Sequence, residues 1–109
     1  MKVFEVAGRI AGSGEHILGF DETGSHACYL IYGVLGAGEK GRELKPGSGH
    51  EEMVIVIKGE VTLTGAMTVT LKQGQAIHLA GEESCVAANP ADTEAVYVIA
   101  GGHADHGHH

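Results

Sequence analysis

The chain has few basic residues and no tryptophan, and the shortage of positive charge excludes two kinds of partner. Only seven of the 109 residues are lysine or arginine, against fourteen aspartates and glutamates, so the formal net charge is −7. Proteins that bind nucleic acid or an anionic membrane hold phosphates with a basic surface. We therefore expect neither nucleic acid nor a membrane as a partner.

Long hydrophobic runs are also missing. No apolar run approaches the roughly 20 residues that a membrane helix needs. Glu5, Gly8 and Arg9 interrupt the opening segment, which excludes the apolar core of a secretion signal. The expected location is the cytoplasm. The two cysteines, Cys28 and Cys85, are then expected to be thiols, although the sequence leaves a disulfide between them open.

Helical patterning is absent, whereas glycine is abundant. No stretch repeats its apolar residues with the 3.6-residue period of a helix. The eighteen glycines are scattered without a fixed spacing, as expected for many tight turns. A chain of this length forms one domain with one core. Frequent turns in one small domain favour short strands.

The clearest local pattern is VTLTGAMTVTL, Val61 to Leu71. Apolar residues alternate with threonines, which is typical of strands with one buried face. Gly65 and Ala66 lie in the middle and suit a two-residue turn. The segment therefore predicts a β-hairpin. Further predicted strands lie at Cys28 to Leu35, Met53 to Ile57, Ala76 to Leu79, Cys85 to Ala88 and Glu94 to Ala100, and the set predicts an all-β sandwich or barrel.

The strand Met53 to Ile57 is apolar on both faces. Successive side chains of a strand point to opposite faces, so Glu52 shares a face with Val54 and Val56. If Glu52 points into a barrel, Met53, Ile55 and Ile57 point outward and need a cover. A homodimer is the favoured explanation, and a second layer of the same chain is the alternative.

Two segments resemble the two cupin motifs. Glu52, MVIVIK and Gly59 are similar to the second half of the first motif. The segment from Gly74 to Asn89 aligns with the second motif at its first glycine and its asparagine, and the predicted hairpin fills the short spacer between them. The resemblance implies a double-stranded β-helix, the cupin jelly-roll barrel. It divides the single domain into an N-terminal strand and loops (1–27), the barrel (28–100) and a C-terminal tail (101–109).

The resemblance also implies a divalent metal in the barrel, held by histidines and a glutamate. Here only Glu52 matches a usual ligand, because the expected histidine positions of the first motif hold other residues and that of the second holds Cys85. His50 shares the face of Glu52, so His50, Glu52 and Cys85 form a candidate site for Zn, Ni or Fe. The alternative is a hydrogen-bonded polar pair beside a buried thiol. No nucleotide cofactor is expected.

The tail GGHADHGHH is a second metal candidate. It holds four of the eight histidines, at His103, His106, His108 and His109, and short histidine-rich tracts bind transition metals. The alternative is a solvated tail or an expression remnant. His78 is expected to point outward, since Ile77 and Leu79 flank it. His16 and His26 are expected in exposed loops, Glu51 at the solvated rim and the tyrosines in packing.

Three functions follow from these candidates. The first is a binding module whose barrel holds a small molecule or a metal without turnover. The second is a metal-dependent enzyme that acts on a small polar metabolite through a rearranged His50, Glu52 and Cys85 site. The third is a metal-handling protein that uses the tail. The sequence leaves open whether the protein is an enzyme.

Overall fold

The structure is a computed structural model, and it describes residues 2–104. Nine strands form most of this part of the chain. Their bounds are β1 Gly14–Leu18, β2 Cys28–Leu35, β3 Arg42–Leu44, β4 His50–Lys58, β5 Glu60–Gly65, β6 Val69–Lys72, β7 Ala76–Ala80, β8 Cys85–Ala88 and β9 Ala95–His103. The only helical elements described are a 3-10 turn at Ala7–Arg9 and α1, a single turn at Phe20–Thr23. None is long and apolar enough to cross a membrane.

The strands form two antiparallel sheets. The larger has the order β1-β2-β9-β4-β7 and the smaller has the order β3-β8-β5-β6. Most neighbours within each sheet come from distant parts of the chain, as in a jelly roll. The predicted all-β class and the jelly-roll barrel are confirmed.

The two sheets enclose one apolar core. It contains Leu35 and Tyr97 from the larger sheet and Leu63, Cys85 and Ala87 from the smaller one. Asn89, which the resemblance to the second motif singled out, is also buried, and its amide donates to the carbonyls of Leu35, Gly36 and Thr93. This asparagine therefore holds loops in place at one end of the barrel.

Burial along β4 follows the predicted alternation. Glu52, Val54 and Val56 are buried, whereas Met53, Ile55 and Ile57 are 61%, 38% and 42% exposed. The N-terminal strand β1 does not cover these exposed residues, because it pairs with β2 at the edge of the same sheet. The outer face of β4 thus remains apolar and open to solvent.

The hairpin is present, but its predicted turn is wrong. Leu63 pairs with Val69, so the connection is longer than the two residues Gly65 and Ala66. Strand β5 instead continues along β8, where Gly65 pairs with Cys85 and the Ala66 amide donates to the Ser84 carbonyl. A Cβ at Gly65 would come within 2.7 Å of that carbonyl oxygen. The glycine therefore permits a close approach between strands rather than a tight turn.

Two further sequence expectations need correction. His16 lies in strand β1 and not in a loop, because the segment Gly14–Leu18 pairs along its whole length with β2. The last strand, β9, extends beyond Ala100 to His103, so the tail begins as sheet. His26 lies in the loop before β2, as expected. Both cysteines are free thiols, with Cys28 exposed and Cys85 buried.

Candidate functional site

The candidate site begins with a buried carboxylate. Glu52 lies on the inner face of β4 and is 5% exposed. It is the one acidic or basic residue among residues 2–104 that is buried. A buried charge is costly unless polar partners satisfy it. The surroundings of Glu52 must therefore supply a donor.

Tyr29 supplies that donor from β2, two strands away. Its hydroxyl donates to Glu52 Oε2 at 2.5 Å. The strand between them, β9, places Gly101 opposite both Tyr29 and Glu52. The tyrosine ring lies across this glycine, and a Cβ there would be 2.4 Å from Tyr29 Cζ. Gly101 is therefore required for this hydrogen bond between Tyr29 and Glu52, which we call the Tyr29 bridge.

The bridge keeps Tyr29 in its neutral, donating form. Burial raises the pKa of Tyr29 well above its ordinary value, and the hydrogen bond and negative charge of Glu52 raise it further. The other carboxylate oxygen, Oε1, has no hydrogen bond to the described residues, yet no fully buried side-chain polar atom among them lacks a partner. The described contacts therefore fix one oxygen of Glu52, Oε2, through Tyr29.

A cavity of about 220 Å³ lies at the same end of the barrel. Its wall includes Tyr29, and loop residues between β1 and β2 close one side. Within that loop, the Phe20 ring stacks on His26 at 4.0 Å between ring centres. The other lining residues are Ile17, Gly19, Ser25, Cys28, His50 and His103. The cavity therefore combines apolar walls with three imidazoles and a phenol.

Two of these imidazoles come from different predicted sites. His50 begins β4 and His103 ends β9, where the two residues pair directly. Their ring centres are 4.8 Å apart, and the His50 ring is 6.0 Å from that of Tyr29. The structure thus joins one residue of the barrel candidate with one residue of the tail candidate. The other tail candidates, His106, His108 and His109, lie outside the described residues.

Cys85 has different surroundings. It is 1% exposed, belongs to the apolar core and pairs with Leu44 of β3 and Gly65 of β5. In residues 2–104, no group of three or more His, Cys, Asp or Glu side chains is placed to hold a metal ion. His50, Glu52 and Cys85 are thus not among any such group in this part of the chain. Their assignment as metal ligands remains a prediction.

A second concave surface is outside the barrel. It is an open depression of about 510 Å³ on the outer face of the larger sheet, with Leu30, Met53 and Ala100 in its wall. Glu51 and His78 lie at its edge, and His78 Nε2 is 2.8 Å from Glu51 Oε1. His78 therefore points outward, as expected. The open, apolar character of this depression is more typical of a protein contact than of a polar-ligand site.

A second bridge of the same kind lies on the inner face of the same sheet, toward the opposite ends of β2 and β9. The Tyr97 hydroxyl donates to the carboxylate of Glu15, and a Cβ at Gly33 would be 2.2 Å from Tyr97 Cζ. Here Arg42 also donates to the Tyr97 hydroxyl at 3.1 Å and pairs with Glu39. The arginine balances the acidic charge, so this bridge serves structure. The Tyr29 bridge has no such cation among the contacts described.

The sequence interpretation assigned Tyr29 to packing and therefore missed it. The pattern that indicates such a bond is a tyrosine paired across the sheet with a glycine, where the glycine also pairs with a buried glutamate. That register joins Tyr29, Gly101 and Glu52 across three strands, and it is visible only once the strands are paired.

No protein-family model and no curated protein matches this sequence. Solved structures do match in fold. A cupin 2 conserved barrel domain protein from Salinispora arenicola CNS-205 has a TM-score of 0.77 at 15% identity, covering 95% of this chain and 90% of that one. A cupin protein from Bacteroides fragilis has a TM-score of 0.72 at 15% identity, covering 92% and 85%.

An oxalate oxidase in complex with glycolate has a TM-score of 0.73 at 16% identity, covering 84% of this chain. The match spans 51% of the oxidase chain, about half of its length. At such identities the likeness concerns the fold alone. The chain has the cupin fold.

Proposed function

We propose that this cupin-fold protein is a binding module that holds a small polar molecule at the Tyr29 end of the barrel. The observation that carries the proposal is the hydrogen bond from the Tyr29 hydroxyl, in the cavity wall, to Oε2 of the buried Glu52 carboxylate. Because its proton is donated to Glu52, the Tyr29 oxygen is ready to accept from a ligand hydroxyl without reorganising.

The size and lining of the cavity limit the ligand. At about 220 Å³, the cavity is below the usual range of roughly 300–1,000 Å³ for drug-sized ligands. Its imidazoles can donate to a carboxylate, while the Tyr29 oxygen, which Glu52 holds from behind the cavity wall, accepts from a hydroxyl. A small hydroxy acid has both groups. Glycolate, which the oxalate oxidase structure contains, is therefore a suitable first probe.

A glycolate titration of the ¹⁵N-labelled protein tests the proposal. We expect saturable amide shifts around Tyr29 and Gly101 in the wild type and at least a tenfold weaker response in Glu52→Gln. Glutamine preserves the shape but replaces the charged acceptor of the Tyr29 proton with a neutral amide, so the phenol oxygen is held less firmly for the ligand. Glu51→Gln is the matched control, because Glu51 lies next to Glu52 but bonds His78 on the outer face.

Equal responses in Glu52→Gln and Glu51→Gln would exclude Glu52 as the recognition group. The enzyme alternative has its own readout. Loss of glycolate over time in a sample loaded with Zn, Ni or Fe, prevented by Glu52→Gln, would favour a metal-dependent enzyme over a binding module.

A further inference from the structure

We infer that His50 and His103 form a two-histidine binding site for a divalent transition metal at the rim of the barrel. His50 lies two residues before the buried Glu52, and His103 belongs to the segment that the sequence analysis assigned to the tail. This inference rests on the two imidazoles and not on the proposed small-molecule ligand. It is also separate from the His50, Glu52 and Cys85 set.

The strand pairing places these side chains as close as two cross-strand residues come. Just beyond the pair, the Ala104 amide donates to the Gly49 carbonyl at 2.7 Å. Hydrogen-bonded and non-hydrogen-bonded pairs alternate along an antiparallel ladder, so His50 and His103 form a non-hydrogen-bonded pair. In such pairs the side chains lie on the same face and nearest to each other.

The separation of the rings matches shared coordination. Zinc binds an imidazole nitrogen at about 2.0–2.1 Å, which puts each ring centre about 3.2 Å from the metal. Two rings at 90° to 109° around one ion would then have centres roughly 4.5–5.2 Å apart. The observed separation is 4.8 Å, with the ring planes inclined at 38°. The ring separation therefore allows one nitrogen of each ring to bind a common ion.

The backbone of His50 is fixed on both its donor and its acceptor side. The His50 amide donates to the Gly47 carbonyl at 3.1 Å, and the His50 carbonyl accepts from Gly81 at 2.9 Å. The rim is also open, since His103 is exposed and His50 half-buried. An ion could therefore reach the pair and complete its coordination with water.

Metal binding also accounts for two histidines placed opposite each other. If both were protonated, two like charges would face each other across the ladder, which destabilises a sheet. A metal ion held by both neutral imidazoles makes the same juxtaposition favourable. Imidazole is a good ligand for Zn, Ni and Cu, which defines the class of ion.

The test uses Zn²⁺ with a full-length protein in which His106, His108 and His109 are replaced by alanine. This background leaves the rim pair without the other tail histidines. Isothermal titration should give one Zn²⁺ per chain. We expect His50→Ala and His103→Ala, each in this background, to weaken binding by at least about tenfold, the lower end of what loss of an outer-shell partner costs.

His78→Ala is the matched control, because it removes an exposed strand histidine on the outer face. It should leave the affinity unchanged, and circular dichroism should show the same fold in all variants. The inference is overturned if the background protein binds no Zn²⁺, which would leave the tail as the sole site, or if His103→Ala behaves like His78→Ala. Glu52→Gln should retain Zn²⁺ binding while losing the glycolate response, so the two proposals can fail separately.

Discussion

At the scale of single residues, two tyrosine hydroxyls tie carboxylates to the inner face of the larger sheet. Tyr29 donates to Glu52 and Tyr97 donates to Glu15. Burial is the main cause that raises the pKa of both tyrosines, and the neighbouring carboxylates add to it. Both phenols therefore stay protonated in the native protein well above pH 10, their ordinary value.

The raised pKa values of Tyr29 and Tyr97 predict a loss of stability in alkaline solution. Below pH 10 the two phenols are protonated in the folded and unfolded chains alike, so they cause no pH dependence. Above that pH the unfolded chain loses protons that the native protein keeps, and the free energy of unfolding falls as pH rises. Urea unfolding at about pH 9 and about pH 11 measures the difference.

The double variant Tyr29→Phe/Tyr97→Phe should lose less stability over that interval than the wild type. Tyr32→Phe, on the outer face of β2, is the control and should follow the wild type. An identical decrease of the free energy of unfolding in the double variant and the wild type would show that these phenols do not cause the loss of stability in alkali.

At the scale of strands, each bridge depends on a glycine in the strand that the tyrosine ring crosses. Gly101 of β9 lies beneath Tyr29, and Gly33 of β2 lies beneath Tyr97. Glycine usually weakens a strand interior, but an aromatic ring packed over it restores the lost contacts. This contact of a tyrosine ring over a glycine occurs twice in the β2–β9 pair. Strand β2 supplies the tyrosine in one contact and β9 supplies it in the other.

Substituting either glycine should therefore destabilise the sheet. A methyl group at Gly101 would lie 2.4 Å from Tyr29 Cζ, and one at Gly33 would lie 2.2 Å from Tyr97 Cζ. We expect Gly101→Ala and Gly33→Ala to lower the free energy of unfolding by about 1–3 kcal/mol, the usual cost of overpacking. Urea denaturation measures the change.

Gly36→Ala is the control, because its added methyl would meet no atom closer than 3.7 Å. The clash can also be isolated in a double-mutant cycle. In Tyr29→Ala/Gly101→Ala the cost of the added methyl should largely disappear. Additive effects of the two substitutions would argue against the ring-over-glycine contact.

At the scale of the whole molecule, the two sheets differ in what their outer faces present. The larger sheet exposes Met53, Ile55 and Ile57 along β4, next to the open depression of about 510 Å³. An exposed apolar surface of this kind is typical of a protein contact. We propose that a second copy of the chain covers it, as the sequence favoured.

A homodimer has a direct test. The wild type should sediment at twice the 11.3 kDa of one chain, and Met53→Lys should shift it toward the monomer by burying a charge in the contact. Val86→Lys, at a residue 42% exposed on the smaller sheet, is the control and should leave the mass unchanged. A monomeric wild type at tens of micromolar would refute the proposal.

Which side of each strand faces inward could be read from the local alternation of the sequence. Alternation put Glu52 inside and Met53 outside and sent His78 outward, because side-chain direction along a strand depends only on local geometry. Two motif fragments around the hairpin were enough to indicate the barrel. Strand existence was likewise predictable for the long apolar segments, whereas the short β3 and β1, which lies in a glycine-rich segment, had too weak a pattern.

Which residues meet, in contrast, depends on how the strands pair in the folded protein. His50 lies opposite His103, Tyr29 reaches Glu52 over Gly101, and Cys85 joins the apolar core. These neighbours come from strands far apart in the chain, and a shift of one residue in their register would turn each side chain to the other face. That register is set by the packing and hydrogen bonding of complete sheets, which no local pattern in the sequence records.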